Sequence, residues 1–125
     1  MSAVGVPQRH VVDKLHRHGI LVMNMVGAPK HVVKALSVGV DIICAQGAEA
    51  GGHVGSIPTS LLLPKCVDLC RGRQMTLFPQ HEVPVVGAGG IYDGRGMAMA
   101  LSYGCQAVWV GTRFVAVCCW QLQLH

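Results

Sequence analysis

Two spacings of apolar residues alternate along this chain. Between Gln8 and His18, Val11, Val12 and Leu15 fall on one face of a helix, and Gly19 follows where a left-handed turn commonly ends one. Ile20 to Val26 is then an almost unbroken apolar run, the pattern of a strand covered on both faces. Gly27-Ala28-Pro29 turns the chain into a second helical pattern, Lys30 to Val38, with Val32, Val33, Ala35 and Leu36 as its stripe. Gly39 closes that helix, and Val40 to Ala45 reads as the next strand. After Pro58, Thr59 or Ser60 is placed to cap a helix through Leu61, Leu62, Leu63, Val67 and Leu69, with Pro64 tolerated in its first turn. Gly72 to Glu82 is polar and irregular, a connection free to vary in length. Val83 to Gly87 is the third strand, Asp93 to Tyr103 the fourth helix, and Cys105 to Val110 the fourth strand. Met97, Ala98, Ala100 and Leu101 form the buried face of that last helix, and Asp93 is placed to cap it.

Apolar strands alternating with amphipathic helices predict an α/β fold with a parallel sheet and right-handed crossovers. Both open α/β sheets and (β/α)8 barrels bind their ligands at the C-terminal ends of the strands, and the glycine-bearing loops of this chain lie there. A barrel takes about 250 residues. The 125 residues here therefore equal half of one, and on length alone a small open sheet fits better. Gly87-Ala88-Gly89-Gly90-Ile91-Tyr92 departs from the dinucleotide fingerprint, because Tyr92 stands where its last glycine belongs.

Composition narrows the function. A 51% hydrophobic and 13% charged sequence supports one domain with a real core. The formal charge is +4, and the ten Lys and Arg are scattered without a basic run, which gives nucleic-acid binding little support. Cys44, Cys66, Cys70, Cys105, Cys118 and Cys119 occupy apolar or helical contexts, which points to reduced thiols in an intracellular, cytoplasmic setting. Cys66 and Cys70 share a helix face, but no further His or Cys pair completes a metal site, so they read as packing residues and no metal is expected. No apolar run approaches the roughly twenty residues of a membrane span, so a soluble protein is expected.

Three strand-to-glycine junctions carry the candidate chemistry. The first is Ala45-Gln46-Gly47-Ala48-Glu49-Ala50-Gly51-Gly52-His53-Val54-Gly55. His53 is the histidine flanked by glycines at a strand end, and an imidazole that titrates near neutrality can accept a carbon-bound proton or hydrogen-bond an anion. The plainer alternative is a solvated loop histidine. Gln46 can offer an amide to a heterocycle, and Glu49 can pair with a neighbour or stand free in solvent. The second and third junctions place Gly89 and Gly90 after one strand and Gly111 and Thr112 after the next. These leave backbone N–H groups unshielded and add a hydroxyl, the ingredients of a phosphate cradle. A tight turn and a helix cap are the simpler roles for the same residues.

Taken together the junctions resemble the nitronate monooxygenase family, once called 2-nitropropane dioxygenases, which are FMN-dependent (β/α)8 barrels. The matching pieces are Gly39 to Gly47, Glu49-Ala50-Gly51-Gly52-His53, Val83 to Ile91 with Asp93-Gly94-Arg95-Gly96, and Val108 to Phe114. The likeness runs from about Val11 to Val115 and looks nearest to fungal members. It implies that His53 is the active-site base or anion-stabilising group. Gln46, Gly47, Gly51 and Gly52 would surround the flavin, and Gly89, Gly90, Gly111 and Thr112 would hold the FMN phosphate. The implied reaction is oxidation of an alkyl nitronate by O2 to a carbonyl compound and nitrite.

By the same resemblance residues 1–125 form a single partial domain, the C-terminal half of a (β/α)8 barrel, and the family's first four strands have no counterpart. The tail from 116 to 125 is unlike the family's final segment. A half barrel exposes two strand edges and part of its core, which predicts self-association. Two alternatives share these features. Flavin-dependent enoyl-acyl-carrier-protein reductases have a similar Glu-Ala-Gly-Gly-His loop and Gly-Thr-Arg-Phe end, and a non-catalytic remnant would keep the cradle without the chemistry.

Overall fold

The computed structural model describes residues 1–116. Its elements are α1 (Arg9–His16), β1 (Met23–Val26), α2 (Pro29–Ser37), β2 (Ile42–Gln46), α3 (Thr59–Cys70), β3 (Val85–Ala88), α4 (Gly94–Ser102) and β4 (Ala107–Trp109), followed by a short 3-10 helix, Thr112–Ala116. The strands are parallel in the order β1-β2-β3-β4, with Ile43 opposite Val85 and Gly87 opposite Val108. An open doubly wound sheet reverses its strand order and carries helices on both faces. Here the order runs one way, as in a segment of a (β/α) barrel.

One face of the sheet meets the helices. Val22, Val26, Ile43, Ala45 and Val85 join Val12, Val32, Ala35, Leu62, Leu63 and Ala100 in a single buried cluster. The opposite face is apolar too, and it is covered unevenly: Cys44 and Ala88 are buried there. Met23, Met25, Ile42 and Val86 are half-buried there, and Trp109 is 39% exposed. The near-continuous apolar runs predict cover on both faces; the helices supply it on one. The strands are also shorter than their runs, because ladder bonds form only where a neighbour lies alongside, and Ile20 and Leu21 lead into β1 exposed.

Three local expectations change. Pro58, not Thr59 or Ser60, occupies the N-cap of α3 and has no side-chain acceptor to offer. Pro64 sits in the second turn of α3, and the helix continues past it. Its missing N–H and ring clash cost about 3 kcal/mol in a helix interior, while burying Leu62 and Leu63 returns roughly 1.5–3 kcal/mol for each. The connection from Gly72 to Glu82 is not free to drift. Gln74 bridges Glu82, Met75 is buried, and the Leu77 N–H donates to the Asp41 carboxylate at 3.0 Å.

Asp41 organises the N-terminal end of the sheet. Fully buried, it accepts from the Val22 N–H at 2.9 Å and lies 2.7 Å from His16 Nε2. At the edge of β1, Ser2 forms a parallel bridge to Asn24, whose Nδ2 donates to the Ser2 and Gly5 carbonyls. That edge is thus met by the segment before α1, which the apolar pattern did not mark. No helix among the described residues is long and apolar enough to cross a membrane. The atypical tail lies, apart from Ala116, outside the described residues, as do Cys118 and Cys119.

Candidate active site

The parallel sheet brings every strand-to-helix loop to one rim, and two neighbouring cavities open there. The larger, of about 760 Å³, is lined by Gln46, Gly51, Gly52, Gly89, Gly90, Gly111 and Thr112 among others. Seven of the eight residues with a predicted cofactor role therefore meet in one space. Gly47, the eighth, lies beneath it. A Cβ there would collide with Thr59 Oγ1, and the Gly47 N–H donates to the Ala88 carbonyl at 3.0 Å. Gly89 combines a φ of +102° with a hypothetical Cβ only 2.7 Å from the Gly47 nitrogen, so only glycine lets the two loops approach this closely.

The cavity suits a phosphate-bearing ligand. A Cβ on Gly52 or Gly111 would meet nothing within 4 Å, so both backbones face open space. Thr112 contributes a hydroxyl, and Arg113, Tyr92, Trp109 and Glu49 also line the cavity. The sequence motifs assign Arg113, Tyr92 and Trp109 no role in the site. Asp93 caps α4, accepting from the Arg95 and Gly96 N–H groups at 3.0 Å each. The Gly96 N–H holds its carboxyl below the usual carboxylate range, with smaller help from Arg95 and Arg113.

His53 lies in the second cavity, of about 370 Å³, across Gln46, which lines both. Among the described residues, the ionisable groups lining this smaller space are His53, His31 and Lys34, with no carboxylate. His31 and Lys34 lie one turn apart on α2, where their polarity reads simply as an outer helix face. Only the fold turns them toward His53.

Glu49 is exposed yet tied down. Its Oε2 accepts from the Thr59 N–H at 2.8 Å and from Thr59 Oγ1 at 2.7 Å. The Thr59 hydroxyl bond, helped by its backbone N–H, lowers the Glu49 pKa against a smaller opposing effect of burial. The cap that Pro58 cannot provide is supplied by this carboxylate. Four thiols play no part in the rim: burial pushes Cys44 and Cys66 up to about 12, and Cys70 and Cys105 up to about 11. All four are free and buried.

A family model described as nitronate monooxygenase matches residues 1–118. The chain belongs to the nitronate monooxygenase family. It is 43% identical over 109 residues to a hydroxy-methyl-oxo-octahydroindene-carboxyl-CoA dehydrogenase of Rhodococcus jostii, covering 87% of this chain and 28% of that protein. To a nitronate monooxygenase of the fungus Neurospora crassa it is 39% identical over 108 residues, covering 85% of this chain and 28% of the relative.

Among solved structures, a FabK variant from Thermotoga maritima superimposes with a TM-score of 0.79 at 34% identity, over 93% of this chain and 35% of that one. A nitroalkane oxidase from Streptomyces ansochromogenes gives a TM-score of 0.77 at 30% identity, over 93% and 35%. The sequence thus spans under a third of the length of these curated relatives. The monotonic strand order and these family relationships identify the fold as part of a (β/α) barrel.

Proposed function

We propose that the larger cavity holds FMN and that the adjoining cavity presents an alkyl nitronate to it, for oxidation by O2 to a carbonyl compound and nitrite. The observation that carries this reading is the shared Gln46 wall, with a glycine-lined cavity on one side and a carboxylate-free histidine and lysine cavity on the other. A volume of about 760 Å³ falls within the range of about 300–1,000 Å³ usual for small-molecule sites. The backbone at Gly89-Gly90 and Gly111, with the Thr112 hydroxyl and Arg113, would hold the phosphate. Bound there, the flavin supplies the electron-transfer chemistry, and the protein orients it.

The remaining work falls to the smaller cavity. A nitronate is an anion, and the Lys34 ammonium with the His31 and His53 rings offers it donors without a competing carboxylate. His53, when neutral, takes the α-proton of a nitroalkane at a ring nitrogen; when protonated, it donates to a nitronate oxygen.

A second reading replaces the nitronate with an acyl thioester. It is favoured by the 43% identity to a carboxyl-CoA dehydrogenase and by the superposition on FabK. Product analysis separates the two: nitrite from nitroalkanes in one case, oxidised or reduced acyl thioester in the other. The primary test is the visible spectrum of the purified chain after incubation with FMN and removal of unbound flavin. A retained flavin band is expected, together with nitrite release; a colourless protein would end the proposal. His53→Asn should keep the flavin and depress nitroalkane turnover, and unchanged turnover would remove His53 from the chemistry.

A further inference from the structure

Three segments meet at the Thr59 side chain. The first is the glycine loop 47–57, the second the start of α3, and the third the Gly89-Gly90 turn. Glu49 reaches Thr59 from the loop: Oε1 lies 3.1 Å and Oε2 2.8 Å from the Thr59 nitrogen, and Oε2 lies 2.7 Å from Oγ1. Thr59 Oγ1 is also 2.9 Å from the Gly89 carbonyl. One hydroxyl proton therefore stands between the loop carboxylate and the cradle carbonyl. Packing closes the same junction. A Cβ on Gly89 would fall 2.7 Å from Oγ1, and one on Gly90 3.0 Å from the Glu49 Cβ.

Beyond Glu49 the loop meets the rest of the protein through close packing, Gly51 beside Thr112 and Gly55 against Gly27. Its base is held by Gly47 N–H to the Ala88 carbonyl, Ala48 N–H to the Ile57 carbonyl at 2.9 Å, and Ala50 N–H to the Gly47 carbonyl at 3.2 Å. Gly51, Gly52, His53 and Val54 beyond Glu49 are all exposed. Glu49 is thus the last side chain tied to the body of the protein before His53. The tie leads through Thr59 to the turn proposed to hold phosphate.

We propose that Glu49 is a positioning residue, whose clasp on Thr59 fixes the His53 loop against the Gly89-Gly90 cradle. The carboxylate does double duty, since it also meets the free N–H and positive end of α3. The inference rests on the proposed function for its link to flavin and substrate, but the clasp itself can be measured without either.

The test uses Glu49→Ala, with Thr59→Val and Thr59→Ser as hydroxyl-deleting and hydroxyl-keeping partners. In the flavin-free chain, backbone NMR order parameters of Gly51 to Gly55 should fall in Glu49→Ala below the roughly 0.6 typical of mobile loops. Thr59→Ser should match the unaltered protein, and Thr59→Val should lie between. Order parameters unchanged in Glu49→Ala would overturn the clasp, whatever the cofactor. With flavin, the ratio of riboflavin to FMN dissociation constants reads how well the cradle engages phosphate. That ratio should drop at least about tenfold in Glu49→Ala and recover in Thr59→Ser. A merely destabilised protein would lose both ligands together and keep the ratio, which would overturn the positioning role. If the unaltered chain binds neither flavin, the proposed function fails, and the NMR comparison alone decides the clasp.

Discussion

Replacing Asp41 should test the N-terminal end of the sheet independently of the rim. Its carboxylate is fully buried and faces three donors: Val22 N–H, Leu77 N–H and His16 Nε2. The His16 side chain is itself 11% exposed. Burying an ion pair gains little over an apolar pair of the same shape, but removing one partner leaves the others dry. In Asp41→Ala two backbone N–H groups lose their acceptor, at about 1–3 kcal/mol each, and the imidazole loses its partner. The expected loss is about 3–5 kcal/mol, a large share of the roughly 5–15 kcal/mol that holds a domain together. Asp41→Asn keeps one acceptor but turns an amide N–H toward a donor, so it should cost less. His16→Ala should cost least, because both backbone donors keep the carboxylate. Urea unfolding followed by circular dichroism gives the three values. Asp41→Ala within about 1 kcal/mol of the unaltered protein, or His16→Ala as severe as Asp41→Ala, would refute the reasoning.

Gly111→Leu should leave the urea midpoint nearly unchanged, since its side chain enters open space, while weakening FMN binding at least about tenfold, or about 1.4 kcal/mol. Equal FMN affinity would place the phosphate elsewhere. Cys44, Cys66, Cys70 and Cys105 should resist alkylation at pH 8 in the folded protein and react at once in denaturant, as peptide mapping would record. Because their folded pKa values are raised to about 11–12, stability tied to them is fully present below the unfolded thiol value and is lost as pH rises toward the folded one. Folded-state alkylation at pH 8 as fast as in denaturant would contradict the burial.

The order of helices and strands was legible because each apolar run is short and each ends in Gly, Pro or a polar cluster. The convergence of Gly51, Gly52, Gly89, Gly90, Gly111 and Thr112 on one cavity followed from strand ends alone, since a parallel sheet puts them all at one rim. The separation of His53 from these glycines did not follow, because it depends on how the loop folds back past Gln46. Asp41 falls inside the strand pattern Val40 to Ala45 and Glu49 inside a glycine loop, and neither pattern names a partner. Their partners lie between ten and thirty-six residues away and belong to different elements. One local clue existed for Glu49: Pro58 at the start of α3 has no side-chain acceptor, so the cap had to come from elsewhere. The bridge from Ser2 to Asn24 left no such clue, because one residue is too short to show a period.

The two ends of the sheet carry different burdens, and the chemistry of their acids explains why. At the N-terminal end Asp41 is dry and saturated with donors, so it can only hold α1, β1 and the 72–82 connection together. At the C-terminal end Glu49 remains exposed while bound to Thr59, so it ties a loop without sealing the cavity beside it. A buried anion at that rim would repel a phosphate or nitronate and would need its own counter-charge. Glu49 lines the larger cavity together with Arg113, but its carboxylate is engaged by the Thr59 hydroxyl and N–H, and it does not line the Lys34 cavity. Substitutions at the two ends should therefore separate cleanly: Asp41 variants should lower the urea midpoint at constant ligand affinity, and Glu49 variants should alter ligand discrimination with a smaller change in midpoint.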